Sequence, residues 1–236
     1  MNNSMKIVIT CFLIFLHSSL LAQLLDKPTL SREKEITIEF IDSIQADLFG
    51  ISDSIWSFAE IGLKEYKSSK CLASYLEKNG FKIEWGQSGM PTAFIAEYGV
   101  GEPIIGIAGE YDALPGLSQK FSPVKEALIE GAPGHGCGHN LIGTSSLGSA
   151  IAIKDLLEKG LLTGTIRYYG TPDEENTSAK IYLTRDGYFD DLDICLYMHP
   201  ANNTKSYIKN SYALFDFSIQ FKGKSAHAAT APWEGR

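Results

Sequence analysis

The chain has 236 residues, 44% of them apolar and 21% charged, with a formal net charge of −7. That length accommodates one large or two small domains with ample material for a core. The acids are scattered and there is no basic stripe, which argues against a nucleic-acid partner or an anionic membrane surface. The four cysteines form no CxxC pair, which argues against a disulfide scaffold. In chain order, Lys6 precedes the apolar run Ile7–Leu16, followed by His17-Ser18-Ser19 and Leu20-Leu21-Ala22. This is the charged, apolar and small-residue succession of a secretory signal, so residues 1–22 are expected to be removed after Ala22 and the mature chain to be periplasmic or secreted. The run falls short of the ~20 apolar residues of a membrane span, so no stable span is expected. Cys71, Cys137 and Cys195 then remain, expected as free thiols.

Ile36, Phe40, Ile44, Leu48, Ile51, Ile55 and Phe58 recur at three- and four-residue steps, predicting a helix over 31–61 that Gly50–Asp53 could divide. Ser68 or Ser69 is expected to cap a second helix running to Asn79, with Gly80 just past its end. Strands are predicted over 81–85, 92–98, 104–108, 165–169 and 194–198, and a longer alternating one over 212–221. Helices are predicted over 140–159, with Leu141, Leu147, Ile151 and Leu156 inward, and over 178–185. Apolar strands alternating with helices indicate an α/β class with a mixed, largely parallel sheet flanked by helices.

The chemistry concentrates at strand ends. Asp112 follows the strand at 104–108, Glu174 and Glu175 follow that at 165–169, and His199 follows that at 194–198. The loop Gly131–Asn140 (GAPGHGCGHN) places His135, Cys137 and His139 among glycines and leads into a helix from the same edge. Open parallel sheets bind ligands at the carboxyl ends of their strands, so four clusters converge on one rim. Thiolate with imidazole favours zinc, and added carboxylates admit manganese. A bare Glu-Glu pair is as a rule a solvated acidic loop, but here one glutamate can ligate while its neighbour acts as general base on water. His227, among small residues in KSAHAA, could stabilise a developing oxyanion.

Taken together, GEYDALPG (109–116), GHGCGHNLIGTSSLGSA (134–150), GTPDEE (170–175), MHP (198–200) and FKGKSAHAATAP (221–232) resemble the M20 family of metal-dependent amidohydrolases and peptidases. FAEIGLKEYKSS (58–69) resembles the end of that family's first helix. The likeness covers about residues 33–236 and is greatest to the p-aminobenzoyl-glutamate hydrolase B-subunit type. It implies Cys137, His139, Glu175 and His199 as ligands of two divalent ions (zinc or manganese), Glu174 as general base, and Asp112 and His135 as supporting residues. His227 matches a histidine that, in family dimers, reaches the partner's site and helps hold the substrate carbonyl. The implied fold is a catalytic α/β domain, its N-terminal part at 23–210, with the start of an α+β lid and dimerisation domain at 211–236. The chain would then be C-terminally truncated, before the family's last ligating histidine. The implied substrate is a small amide bearing a free carboxylate, and the implied assembly a homodimer or hetero-oligomer through the lid. Asp173 departs from the small residue expected there, and Asn176-Thr177-Ser178 from the expected glycines.

Three functions are compatible with these residues. The first is a metal-dependent amidohydrolase cleaving an N-acyl or N-aroyl amino acid or a dipeptide. The second is an inactive N-terminal fragment of such an enzyme, and the third a thiol hydrolase with Cys137 as nucleophile and His135 or His139 as base.

Overall fold

The computed structural model describes residues 30–206, 213, 217, 219, 220 and 222–235. The signal expected over 1–22 lies outside them, as does most of the strand expected over 212–221. The chain divides into two compact units between Pro200 and Ala201.

In the first unit, α1 (Arg32–Phe58) starts at Ser31, whose hydroxyl accepts from the Lys34 amide at 3.4 Å. It runs unbroken through Gly50 and ends where Ala59 turns left-handed (φ 43°). Its apolar stripe faces inward as the periodicity required, half-buried along most of its length and buried at Ile51 and Ile55. The next helix, α2 (Tyr66–Lys78), begins earlier than Ser68 or Ser69. The Glu60 carboxylate folds back and accepts from the amides of Lys67 and Ser68 and from the Ser68 hydroxyl (2.8–3.1 Å). An acceptor from upstream thus satisfies the first-turn donors that a serine cap would have taken.

Strands β1 (Lys82–Trp85), β2 (Phe94–Val100), β3 (Ile104–Gly109), β4 (Gly164–Gly170) and β5 (Ile194–Leu196) form one sheet in the order β1-β2-β4-β3-β5. The sheet is mixed: β1–β2 and β2–β4 are antiparallel, β4–β3 and β3–β5 parallel. The three strands whose ends carry the chemistry are therefore mutually parallel and deliver those ends to one edge. Between β3 and β4 lies α3 (His139–Glu158), and α4 (Ala179–Arg185) follows β4.

The main core joins Ile51, Ile55, Leu72, Leu76, Phe94, Leu147, Ile151, Ile166 and Tyr168, drawn from α1, α2, α3 and the sheet. Tyr168 faces this core, whereas Tyr169, one residue on, packs against Phe189 with ring centroids 4.7 Å apart. That alternation gives β4 two covered faces. In α3 the inward residue is Ile142, fully buried, while Leu141 is 52% exposed. The helix begins at His139 and is buried on most of its circumference, so its phase is set by which residue meets β3 and not by which is more apolar.

The second unit is described more sparsely. A 3-10 turn spans Pro232–Gly235, the Lys224 amide donates to the Gly235 carbonyl at 3.1 Å, and the Ala229 amide donates to His227 Nδ1 at 3.3 Å. Among the described residues no helix is long and apolar enough to cross a membrane.

Candidate metal centre

The centre is assembled from four backbone turns. Past β3, the chain carries Glu110 and Asp112 straight into the interior, and both are buried. Gly138 (φ 80°) occupies the left-handed conformation at the start of α3, which a side chain would resist, and so sets His139 on the helix's first turn. Past β4, Asp173 is left-handed as well (φ 53°), and the reversal sends Glu174 and Glu175 back toward His139. Past β5, His199 arrives beside Cys137.

His139 is the hub. Its Nδ1 lies 2.8 Å from Asp112 Oδ1 and 3.0 Å from the Asp112 carbonyl oxygen. Both partners only accept, so Nδ1 carries the hydrogen and Nε2 presents its lone pair. Around that lone pair stand Glu110 Oε2 at 3.2 Å and Glu174 Oε2 and Glu175 Oε1 at 3.8 Å each. His199 repeats the device: Nδ1 faces the Pro200 carbonyl at 2.9 Å, and Nε2 faces Cys137 Sγ at 3.4 Å. The Asp112 carboxylate also accepts from the Glu175 amide at 3.0 Å, so one aspartate holds both the histidine and the glutamate turn.

The donors fit a divalent cation. Cys137, His139 and His199 offer ligand atoms within 4.8 Å of one another, and so do Glu110, His139 and Glu174. His139 Nε2 and Glu175 Oε1 are buried without a hydrogen-bond partner. Orphaned acceptors are costly in a protein interior unless something positive meets them. The electrostatics report the concentration of negative charge at this point. Burial pushes the Cys137 thiol up to about 11, assisted by the charges of Glu175, Glu174 and Glu110. Burial also raises Glu174, with Glu110 adding to it. For His139 burial alone would lower the pKa, but the Asp112 bond and charge, with Glu110 and Glu175, outweigh it and raise it.

Residues 106–222 match the description Peptidase family M20/M25/M40. Over 199 residues the chain is 43% identical to the B subunit of p-aminobenzoyl-glutamate hydrolase from Escherichia coli (strain K12), a match covering 83% of this chain and 41% of that protein. The chain belongs to the M20 family. It is also 31% identical over 214 residues to the Xaa-Arg dipeptidase of Mus musculus, covering 86% of this chain and 46% of that one. Among solved structures it is similar to the Bacillus subtilis YXEP protein, described as a dinuclear metal binding peptidase from M20 family. That similarity has a TM-score of 0.58 at 24% identity and covers 68% of this chain and 44% of that one. The chain thus spans less than half the length of the curated relatives it matches.

Of the residues singled out by sequence, this M20 chain brings together Asp112, Cys137, His139, Glu174, Glu175 and His199. His135 is tied elsewhere: its Nε2 meets the Ile55 carbonyl of α1 at 3.0 Å, and it stands in the wall of a cavity of ≈ 720 Å³. Burial lowers its pKa. His227 belongs to the second unit. Two residues of this cluster and its surroundings went unmarked by sequence reasoning. Glu110 is buried beside His139 and is held by Lys180 Nζ and by the Tyr197 hydroxyl at 2.8 Å. Glu65 is fully buried and accepts from the Asp173 amide at 2.8 Å. Position 110 could have been found, since it shares the strand-end segment with Asp112. Glu65 lies in a polar stretch and gave no signal.

Proposed function

We propose that this chain forms the ion-holding and proton-transferring side of a metal-dependent amidohydrolase. Its substrate would be an N-acyl or N-aroyl amino acid resembling p-aminobenzoyl-glutamate, or a dipeptide. The observation that carries this is the His139 Nε2 lone pair, buried, unpartnered and faced by three carboxylates. We assign Cys137, His139, Glu175 and His199 to two divalent ions. The thiolate and imidazoles favour zinc, while the carboxylates admit manganese. When bound, such ions supply Lewis-acid polarisation of the scissile carbonyl and a water of lowered pKa.

The two glutamates divide the remaining work by exposure. Glu175 keeps a buried oxygen without a donor and its side chain is 21% exposed, which suits a ligand. Glu174, 36% exposed, can meet both water and substrate. It takes the proton from the attacking water and hands it to the departing amide nitrogen. The surroundings of Cys137 disfavour the thiol-hydrolase alternative, because nucleophilic thiols sit among positive charges and this one sits among carboxylates. We further infer export by the 1–22 signal and assembly through residues 211–236, with His227 of one chain holding the substrate carbonyl of another. The E. coli relative is named as one subunit of its hydrolase, which supports an assembly.

The test is elemental analysis of the purified chain with turnover of p-aminobenzoyl-glutamate measured alongside, in parent and Glu174→Gln. The expected result is metal in both chains and turnover only in the parent. Metal in both without turnover in either would leave this span as the ion-holding part and remove the catalytic assignment. A parent without metal overturns the proposal.

A further inference from the structure

The loop after β4 has to be held in an unfavourable shape for Glu174 and Glu175 to face His139. Asp173, its pivot, is a non-glycine residue at φ 53°, a conformation that costs an L-residue free energy and persists only where neighbours impose it. Three sets of bonds surround it. Its carboxylate accepts from the Thr177 amide (3.3 Å) and the Thr177 hydroxyl, and its carbonyl accepts from the Ser178 amide at 2.6 Å. Those are local and would travel with the loop. The third is not local: the Asp173 amide donates to Glu65 Oε1, from a residue 108 positions earlier in the chain.

Glu65 is itself fixed. It is fully buried at the N-terminus of α2, and its second oxygen accepts from the Thr92 hydroxyl at 2.9 Å. The Thr92 carbonyl accepts from the Tyr111 hydroxyl at 2.7 Å, and Tyr111 stands between Glu110 and Asp112. One carboxyl group therefore links the entry to β2, the turn after β3 and the turn after β4. A buried glutamate without a cationic partner is an expensive choice for simple packing, which an apolar residue would serve better.

We propose that Glu65 is a positioning residue whose buried oxygen fixes the Asp173 amide and so aims Glu174 and Glu175 at His139. The proposal rests on the metal-hydrolase reading and deepens it. Its two tests are separable from that reading. The first is amide hydrogen exchange, which needs no metal. In the parent the Asp173 and Glu175 amides should be protected. Glu65→Gln, which keeps an oxygen acceptor, should preserve that protection. Glu65→Leu should lose it by about tenfold or more at both amides, the loss of one hydrogen bond to a buried carboxyl group, while core amides of β4 keep theirs. The second is titration with zinc alone. Affinity should fall about 10–100-fold in Glu65→Leu, the usual effect of removing an outer support, and stay within about threefold in Glu65→Gln.

An unprotected Asp173 amide in the parent overturns the proposal before any variant is made, even if Glu65→Leu does not fold. A folded Glu65→Leu with Glu175 still protected, or with parental zinc affinity, also overturns it. Failure of the parent to bind zinc would instead count against the hydrolase reading, and the exchange data would still decide on Glu65.

Discussion

A methyl group at Gly62 tests how tightly the Asp173 turn is built. A Cβ there would fall 1.5 Å from Asp173 Oδ1, 2.3 Å from its Cγ and 2.8 Å from its Cβ. All three atoms belong to one side chain, itself buried at 2% exposure. Gly62→Ala therefore forces that side chain out. The carboxylate must give up Thr177, at about 1.5–3 kcal/mol for bonds to a charged group, or the turn must shift, at a similar overpacking cost of about 1–3 kcal/mol. Against this, Gly62 is outside the left-handed region, so alanine stabilises through the unfolded chain by about 0.4–1 kcal/mol. The net expectation is a loss of about 2 kcal/mol. Asp173→Gly removes the obstructing side chain and suits the positive φ, so in that background Gly62→Ala should be neutral or slightly stabilising. Urea unfolding of the four chains gives the coupling energy directly. A Gly62→Ala chain within about 0.5 kcal/mol of the parent, or an equal cost in both backgrounds, would refute the reasoning.

Other outcomes follow from the same structure. Burial pushes the Glu65 carboxyl from 4.5 up to about 7, against the pull of its hydrogen bonds. Between those pH values the folded chain keeps a proton that the unfolded chain has lost, so stability falls as pH rises through the window, by about 3 kcal/mol in all. Chelator-treated Glu65→Gln should lack that fall in urea unfolding at pH 4.5 and 8, and a pH dependence equal to the parent's would contradict the assignment. Leu72 is fully buried between the helices, and Leu72→Ala should cost about 2–5 kcal/mol in the same assay. Cys137→Ser replaces the soft donor opposite His199, so zinc affinity by titration should drop markedly while manganese affinity changes little; equal losses for both metals would remove Cys137 from the ligand set.

Much of this is legible in sequence because it depends on short-range pattern. The apolar stripe of α1, the strand-end positions of Asp112, Glu174 and His199, and the glycine-spaced Cys137 and His139 are all readable within a few residues. What escapes such reading depends on contacts between distant segments. Glu65, between Lys64 and Tyr66, carries no mark of burial until Thr92 and Asp173 arrive over it. The choice between Leu141 and Ile142 is undecidable from hydrophobicity, since both are apolar and only the approach of α3 to β3 selects one. The start of α2 precedes the serines expected to cap it because its acceptor, Glu60, is not at the cap position. Asp173 is visible as a departure, but its companion Gly62 is not, because complementarity between them exists only in three dimensions.

The outermost strand has a consequence of another kind. Among the described strands β5 closes the order on one side, and Ile194 and Leu196 on it are each 52% exposed, with Tyr197 and Met198 following in the same condition. A sheet margin with open backbone groups and apolar side chains is adhesive. His199 lies three residues beyond its end, so a partner strand at that margin would also restrain the proposed metal ligand. Any self-association through that margin would be thermodynamically linked to ion affinity: concentrating the protein would then change how strongly it holds metal, and loading metal how readily it associates.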